Sequence, residues 1–405
     1  MTVRRAFWGH LWLAKFFFRL AGILPIGGSS ALWKSLLTDF LATLPLWATF
    51  YLLVPEIQYI CFQNHSVNEL LQSFRMLAGL FSVQLRSIFV IVYRPRITRL
   101  FSICEAMWEE ADLANHKIIL PWIKRTKIIS SVIFVGASYG VTMHAVNTVV
   151  RQFSKPANST VKLYSSTRNE NSTSNSHDAI KFILWTAFTY IRHSYIASCD
   201  MIGTILSFNL RGQFSVIRSR IIELSKEKLN VLTGETDRSY EEELAKCIRH
   251  HQIVLNLYAE LEDVNQYNYL TQLVTEMYIM AISAAELTKF QSLASTALFF
   301  SCWPADTLAD ESIKIARAAY EVPCYNGSRS VNAMVLILLT RSQRPAILTA
   351  GKFTPMSLET FASIISGGIS FYMLLGRSVF SAGVIKKLRK PSSRQNNSTT
   401  SKVES

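Results

Sequence analysis

The chain lacks the residue patterns of an enzyme or a metalloprotein. Charged residues make up 17% of its 405 residues, less than the share of about a quarter that is usual in soluble domains. Its six cysteines form no CxxC pair, and no histidine stands at the spacing of a metal site. His250 and His251 are neighbours, so on a helix they would point to different faces. We therefore expect no catalytic activity, no cofactor and no bound metal.

Acidic residues are scarce relative to basic ones. The chain has 42 Lys and Arg against 28 Asp and Glu, a net charge of +14, and 49% of it is hydrophobic. Such a charge on a soluble protein would suggest a nucleic-acid partner. Here the basic residues flank apolar runs of membrane-spanning length, where they set topology and meet anionic lipid. The composition predicts one domain in a lipid bilayer, with no nucleic-acid partner.

Seven apolar runs predict an all-α membrane protein with seven transmembrane helices. Six lie within residues 37–303, at about 38–59, 70–92, 129–150, 180–210, 267–285 and 290–303. Pro304 is expected to break the sixth helix, with residues 312–322 as its amphipathic continuation. The run at 331–340 is too short to cross, so residues 304–352 are expected to form a cytoplasmic anchor region.

Loop charge predicts an inverted topology, with the N-terminus in the cytoplasm. Residues 1–36 are basic and aromatic and are expected to lie on the cytoplasmic face. The basic loop after the second helix is the strongest inside signal, with Arg94, Arg96, Arg99, Lys124, Arg125 and Lys127. The outer loop at 152–179 is rich in Ser, Thr and Asn, and Asn158 and Asn171 are candidate glycosylation sites in it. Asn64, in the first outer loop, is a third candidate.

Three further features bear on this topology. Residues 211–265 carry charges of both signs at helical spacing and are predicted to extend helices four and five into the cytoplasm. The tail at 378–405 falls outside by the count of spans, although its basic residues favour the inside. Arg192 and Asp200, in helix four, would be costly in lipid, so we expect them to pair or to face a wet interior.

The last helix, within residues 353–377, carries a polar stripe. Side chains at steps of three or four share one helical face, and here they are Ser363, Ser366, Gly367, Ser370, Leu374 and Arg377. Small and hydroxyl residues permit close packing against other helices. They also suit the wall of a water-filled pore. The spacing alone does not decide between the two interpretations.

Several segments resemble the insect odorant receptor family. Residues 299–306 read FFSCWPAD and are followed by AAYE at 318–321, which looks like the family's exit from helix six. Residues 344–361 read RPAILTAGKFTPMSLETF, very similar to the segment before its pore helix. Residues 370–375, SFYMLL, are like its final helix, and 20–25, LAGILP, resemble its N-terminal Gly-x-x-Pro element.

The resemblance implies an odorant-gated, non-selective cation channel. In this family a tuning subunit binds a small volatile ligand and forms a heterotetramer with a shared co-receptor subunit. The last helix of each subunit lines the pore. The resemblance also implies a multi-pass protein of the cell membrane, in the sensory dendrites of olfactory neurons. Alignment with the co-receptor's final helix puts Leu374 at the hydrophobic gate and Arg377 at the outer mouth. The implied pore and gate residues are Ser363, Ser366, Ser370, Leu374 and Arg377.

An odorant pocket should be apolar with few polar groups. Side chains in the outer halves of helices two to six supply candidates, namely Phe74, Tyr139, His144, Trp185, Phe188, Tyr190, Met277 and Tyr278. Core packing is the competing interpretation for each, because aromatic side chains fill any helix bundle. His144 is the polar candidate.

Two other receptor classes are alternatives. A gustatory receptor-type ligand-gated channel belongs to the same broader superfamily, but the Thr-Tyr-x-x-x-x-Gln pattern usual in its last helix is missing here. A G-protein-coupled receptor would need an N-terminus outside the cell. Its Asn-Pro-x-x-Tyr motif is also missing from the last helix. The sequence therefore favours the odorant receptor resemblance.

Overall fold

The computed structural model describes residues 7–26, 32–62, 67–153, 175–230, 236–285, 292–322 and 328–388. Its helices are α1 (Phe7–His10), α2 (Trp12–Leu20), α3 (Leu32–Phe62), α4 (Val67–Glu109), α5 (Leu113–Phe153), α6 (Asn175–Asn230), α7 (Thr236–Ala285), α8 (Ser292–Tyr320), α9 (Arg329–Ser342) and α10 (Leu358–Leu388). A short antiparallel hairpin, β1 (Thr349–Ala350) with β2 (Thr354–Pro355), lies between α9 and α10.

The predicted spans fall on the long helices α3, α4, α5, α6, α7, α8 and α10. By length and composition alone, Leu32–Phe62 and Glu69–Glu109 are the two stretches of described helix apolar enough to cross a membrane, and Leu358–Phe371 is a shorter apolar one. Other helices carry charges inside their apolar runs, such as Asp200 on α6 and Glu276 on α7. Those charges need partners inside the bundle.

Helix α6 lies at the centre of the bundle. It packs against α3, α4, α5, α7 and α8, and every residue from Ala197 to Ile217 is buried. A helix enclosed on all sides has no face left for lipid or water. The polar side chains on this stretch therefore face either neighbouring helices or the backbone of α6 itself, as the hydroxyl of Ser215 does in donating to the carbonyl of Arg211.

The predicted basic loop after the second span is wrong, because this segment is helical. Helix α4 continues to Glu109 and α5 begins at Leu113, so the turn is short. The extension is held by ion pairs with α7: Arg96 Nη1 lies 2.6 Å from Asp263 Oδ2, and its Nε lies 3.7 Å from Glu260 Oε1. An apolar run marks only the part of a helix that lies in lipid, so it missed this polar continuation.

The predicted break at Pro304 is also wrong, since α8 runs unbroken from Ser292 to Tyr320. A proline has no N–H, so it leaves the carbonyl four residues earlier without its helical donor. Here that carbonyl belongs to Phe300, and the hydroxyl of Thr204 on α6 donates to it at 3.0 Å, sharing its proton with the carbonyl of Asp200 at 3.1 Å. The neighbouring helix thus supplies the missing hydrogen bond.

The N-terminal helices α1 and α2 pack into the bundle. Phe7, Trp8 and Phe18 are buried, and Trp8 Nε1 donates to Glu105 Oε2 on α4 at 3.0 Å. The chain then turns at Gly22, whose φ is +68°. A Cβ there would lie 2.3 Å from the backbone nitrogen of Ala42, so this close approach to α3 requires glycine.

Helices α6 and α7 include residues 211–230 and 236–265, which carry charges of both signs. Buried Glu311 of α8 ties this region together: its carboxylate lies 2.6 Å from Arg218 Nε and 3.5 Å from Arg211 Nη2. The guanidinium of Arg211 also lies 3.3 Å from the ring centre of Trp122 on α5. These contacts hold α6 against α8 and α5.

Candidate functional site

The predicted pocket residues on α6 face two different neighbours. The hydroxyl of Tyr190 contacts the hydroxyl of Thr142 on α5 and donates to the carbonyl of Ser138 at 3.4 Å. The ring of Phe188 lies 4.8 Å from that of Tyr51 on α3. Trp185 stacks on Phe182 of its own helix at 6.3 Å. The structure therefore brings Tyr190 and Phe188 to the contacts of α6 with α5 and α3.

The remaining pocket candidates are more exposed in the isolated chain. Tyr139 on α5 is 64% exposed, Met277 on α7 is 50% exposed, and Phe74 on α4 and Tyr278 on α7 are each 40% exposed. The side chain of His144 lies outside the described residues. As candidates for one shared pocket these side chains remain predictions, since the described contacts do not join them to Tyr190 or Phe188.

A buried ion pair joins α4 to α6. Arg86 Nη1 lies 2.6 Å from Asp200 Oδ1, and each side chain is only 4% exposed. Helices α4 and α6 run side by side, with Arg192 beside Gly79 and Asp200 beside Arg86 further along. Asp200 therefore pairs with Arg86 on another helix and not with Arg192 on its own. The sequence showed that Asp200 needs a partner, but the partner stands 114 residues away.

The polar stripe of α10 faces away from the rest of the chain. Ser363, Ser366 and Ser370 are exposed, and Leu374 is 65% exposed. The opposite side of α10 packs on the bundle, with Phe361 and Ile364 against the core. Open space surrounds Gly367 of the stripe, since a Cβ there would meet nothing within 4 Å. Among the described residues, the stripe is thus not used for packing. The side chain of Arg377 lies outside the described residues.

The segment before α10 is attached to α7. Glu262 accepts hydrogen bonds from the backbone N–H of Thr349, at 2.9 Å, and from its hydroxyl. The N–H of Gly351 donates to the carbonyl of Gln266 at 3.0 Å. Burial raises the pKa of Glu262, although both bonds from Thr349 act to lower it. Ser357 then begins α10, because its hydroxyl accepts from the N–H of Thr360 at 3.1 Å.

Near its C-terminal end, α7 contacts α10 directly. A Cβ on Gly368 would lie 2.1 Å from the terminal methyl carbon of Met280. Glycine at this position lets Met280 sit against the backbone of the helix. Helix α7 therefore contacts the hairpin before α10 near Gln266 and contacts α10 itself at Met280.

Some predicted sites cannot be located. The glycosylation candidates Asn64, Asn158 and Asn171 lie outside the described residues, as does the tail from residue 389. Within the described ranges, no group of three or more His, Cys, Asp or Glu side chains is placed to hold a metal ion.

Comparison with known proteins identifies the family. The model of the "7tm Odorant receptor" family matches residues 66–368. Odorant receptor 67c of Drosophila melanogaster is 25% identical over 210 residues, which cover 48% of this chain and 50% of that protein. The odorant receptor coreceptor of Ooceraea biroi is 23% identical over 159 residues, covering 36% of this chain and 33% of that protein. The chain thus spans half or less of the length of these curated relatives.

The fold also matches a solved structure. Olfactory receptor OR5 from Machilis hrabei, in complex with eugenol, superposes with a TM-score of 0.74. The match covers 91% of this chain and 99% of that one at 14% sequence identity, so it establishes the seven-helix fold. With the family model matching more than half of its length, the chain belongs to the seven-transmembrane odorant receptor family.

Proposed function

We propose that the chain is the tuning subunit of an odorant-gated, non-selective cation channel. It binds a small, volatile, largely apolar ligand and opens a pore together with a co-receptor subunit in the membrane of olfactory sensory neurons. The family match supports odorant sensing, and relatives among the odorant receptor coreceptors fit a chain that assembles with such a subunit. The observation that carries the proposal is the unpacked polar face of α10.

The face of α10 suits a pore for a physical reason. A hydroxyl stripe gains little from lipid, and within the described chain it packs on no other helix. A place on a symmetry axis among subunits would give Ser363, Ser366 and Ser370 water to bond with. One turn beyond Ser370, Leu374 would then form an apolar ring that excludes hydrated ions until the helices move apart.

The contacts of α7 provide a route from ligand to pore. Its outer half carries Met277 and Tyr278, and the inward-facing Met280 lies against Gly368 of α10. A ligand that favours one position of α7 would therefore shift the population of α10 positions. The same helix holds the hairpin before α10 through Glu262 and Gln266.

Electrophysiology tests the function directly. Cells that express this chain with a co-receptor should pass cation currents when volatile compounds are applied, whereas this chain alone should not. Surface labelling of the same cells would show that the chain is present. Surface-expressed complexes that stay silent across a broad volatile panel would reject the proposal.

Cysteine substitution tests the role of α10. Ser370→Cys should be modified by a charged, membrane-impermeant thiol reagent, with a change in the evoked current. Ile364→Cys is the matched control, because its side chain packs against the bundle. Equal modification rates at the two positions would show that the stripe does not line a pore.

The orientation is part of the same proposal. An inverted topology places the N-terminus in the cytoplasm, and the loop at 152–179 and the tail at 378–405 outside. Epitope tags at the two ends, probed by antibody on intact and permeabilised cells, should be detected outside only at the C-terminus. Loss of Asn158 and Asn171 should reduce the shift produced by removing N-linked glycans, and further loss of Asn64 should remove any part that comes from the first outer loop.

A further inference from the structure

A polar cluster lies inside the bundle where α4, α6 and α7 meet. Its members are Arg86 of α4, Asp200 of α6, and Gln272 and Glu276 of α7. Arg86 and Asp200 form the ion pair described above, at 2.6 Å. Glu276 lies within electrostatic reach of both, and Gln272 stands one helical turn from Glu276 on the same face of α7.

The register of α7 fixes this face against α6. Asn268 Nδ2 donates to the carbonyl of Cys199 at 3.1 Å, which places α7 beside the residue that precedes Asp200. Gln272 follows Asn268 by four residues, and Glu276 follows Gln272 by four. Phe89 of α4 stacks on Tyr267 of α7 at 5.2 Å, which brings the third helix to the same height. The cluster is therefore a consequence of three-helix packing.

Several atoms of the cluster have no hydrogen-bond partner among the described residues. Gln272 is 0% exposed, and neither its amide nitrogen nor its amide oxygen makes a hydrogen bond. The same holds for Arg86 Nε and for Glu276 Oε2. A buried polar atom without a partner is costly. A buried glutamine with both amide atoms unused can bond to an enclosed polar group, such as a water or a ligand hydroxyl.

The kinds of unused atom define that group. Arg86 Nε and Gln272 Nε2 are donors, whereas Gln272 Oε1 and Glu276 Oε2 are acceptors. A hydroxyl both accepts and donates, so it can bond to one atom of each kind, and its bond to the carboxylate would be charge-assisted. An ammonium group has donors only and would leave both protein donors unmatched. An ether accepts but cannot donate to Glu276.

We infer that this cluster is the polar subsite for a ligand that carries a hydroxyl group, a volatile alcohol or phenol. The inference rests on the proposed function and adds the chemical class of the ligand. The hydroxyl donates to Glu276 Oε2 and accepts from Gln272 Nε2, while Asp200 holds Arg86 in place. The apolar remainder of the ligand is bound by the bundle around the cluster.

Matched probes test the subsite. Cells expressing the chain with a co-receptor are exposed to straight-chain primary alcohols, to methyl ethers of equal length and to the corresponding primary amines. The wild-type complex should respond to alcohols at lower concentrations than to ethers or amines. Gln272→Leu keeps the approximate volume but removes both amide groups. It should raise the half-maximal concentration about tenfold to a hundredfold for alcohols and for ethers alike, because the oxygen of either ligand accepts from Gln272 Nε2.

Two further variants keep the test decisive. Gln252→Leu makes the same change on the exposed inner part of α7 and should leave both values unchanged. Glu276→Gln is a conservative change that retains an acceptor, so it serves if Gln272→Leu fails to reach the surface. It should reduce the preference for alcohols over ethers, because the charge-assisted bond is lost. The ratio of the two values within one cell does not depend on how many receptors are present.

The outcomes separate the two levels of the proposal. Complexes that reach the surface and answer none of the probes or other volatiles would reject the proposed channel function itself. Evoked currents that favour amines, or a preference for alcohols over ethers that is unchanged in Glu276→Gln, would overturn the hydroxyl subsite and leave the channel function standing.

Discussion

The hydroxyl of Thr204 on α6 donates to the carbonyl of Phe300 on α8, the carbonyl that Pro304 deprives of its helical donor. This bond joins two central helices at the point where one of them would otherwise break. Thr204 is fully buried, so water cannot replace the hydroxyl. The helix therefore depends on a side chain 96 residues away in sequence.

Removing this hydroxyl should destabilise the protein. Thr204→Val keeps the shape but leaves the Phe300 carbonyl unbonded, at a cost of about 1–3 kcal/mol. Thermal unfolding of the detergent-solubilised protein measures the effect. Thr340→Val is the control, because that hydroxyl donates within its own helix to Leu336. In a Pro304→Ala background, which restores the N–H, Thr204→Val should cost less; an unchanged cost would contradict the account.

The Arg86–Asp200 pair should show the behaviour of a buried ion pair. Arg86→Met or Asp200→Leu alone leaves a buried charge and should cost about 3–5 kcal/mol. The double variant removes both charges and should be more stable than either single one. Arg220→Met offers the comparison, since its partners Glu223 and Glu243 lie near the surface and such pairs contribute about 1 kcal/mol or less. Additive losses in the double variant would argue against a direct pair.

Gly22 should tolerate no side chain. Gly22→Ala forces a positive φ on alanine and drives its Cβ into the backbone of α3, so a loss of about 2–4 kcal/mol is expected. Gly367→Ala makes the same change where a Cβ has open space and should leave the melting temperature nearly unchanged. Equal melting temperatures for the two variants would show that α2 and α3 do not approach as closely as described.

The protein should lose stability in acid, because His251 is buried in the folded chain. Burial, with smaller contributions from Arg341 and His250, lowers the pKa of His251 from 6.5 to about 4. The unfolded chain therefore binds the proton more readily than the folded chain does. The stability that depends on a neutral His251 is fully present above pH 6.5 and is lost as the pH falls towards 4. At that point the loss is about 3 kcal/mol. His251→Phe, which keeps a ring beside Phe214, should flatten this limb of the stability profile.

Substitution of Leu374 tests the gate of the proposed channel. Leu374→Ala shortens the apolar ring and should raise the current in the absence of odorant, because a wider constriction wets more readily. Met373→Ala removes a neighbouring exposed side chain on another face of α10 and should leave basal current unchanged. Normal closure in Leu374→Ala would remove Leu374 from the gate.

Local patterns predicted the helices but not their partners. Apolar length found the spans, including the last helix within residues 353–377. The continuation of α4 to Glu109 depends on Asp263 and Glu260 of α7, and the survival of α8 at Pro304 depends on Thr204. Both are contacts across long stretches of chain. The spacing of Asn268, Gln272 and Glu276 was visible in the sequence, but only the packing shows that Gln272 has no hydrogen-bond partner among the residues that the structure describes.

The two attachments of α7 restrict how the last helix can move. Gln266 binds the turn at Gly351 and Met280 lies on Gly368, and these two points on α7 are about 21 Å apart at 1.5 Å per residue. A helix fixed at both points cannot slide along its neighbour as a piston without breaking one contact. Opening must then either carry α7 and α10 together or bend α10 beyond Gly368. The second movement would displace Leu374 while the hairpin stays still.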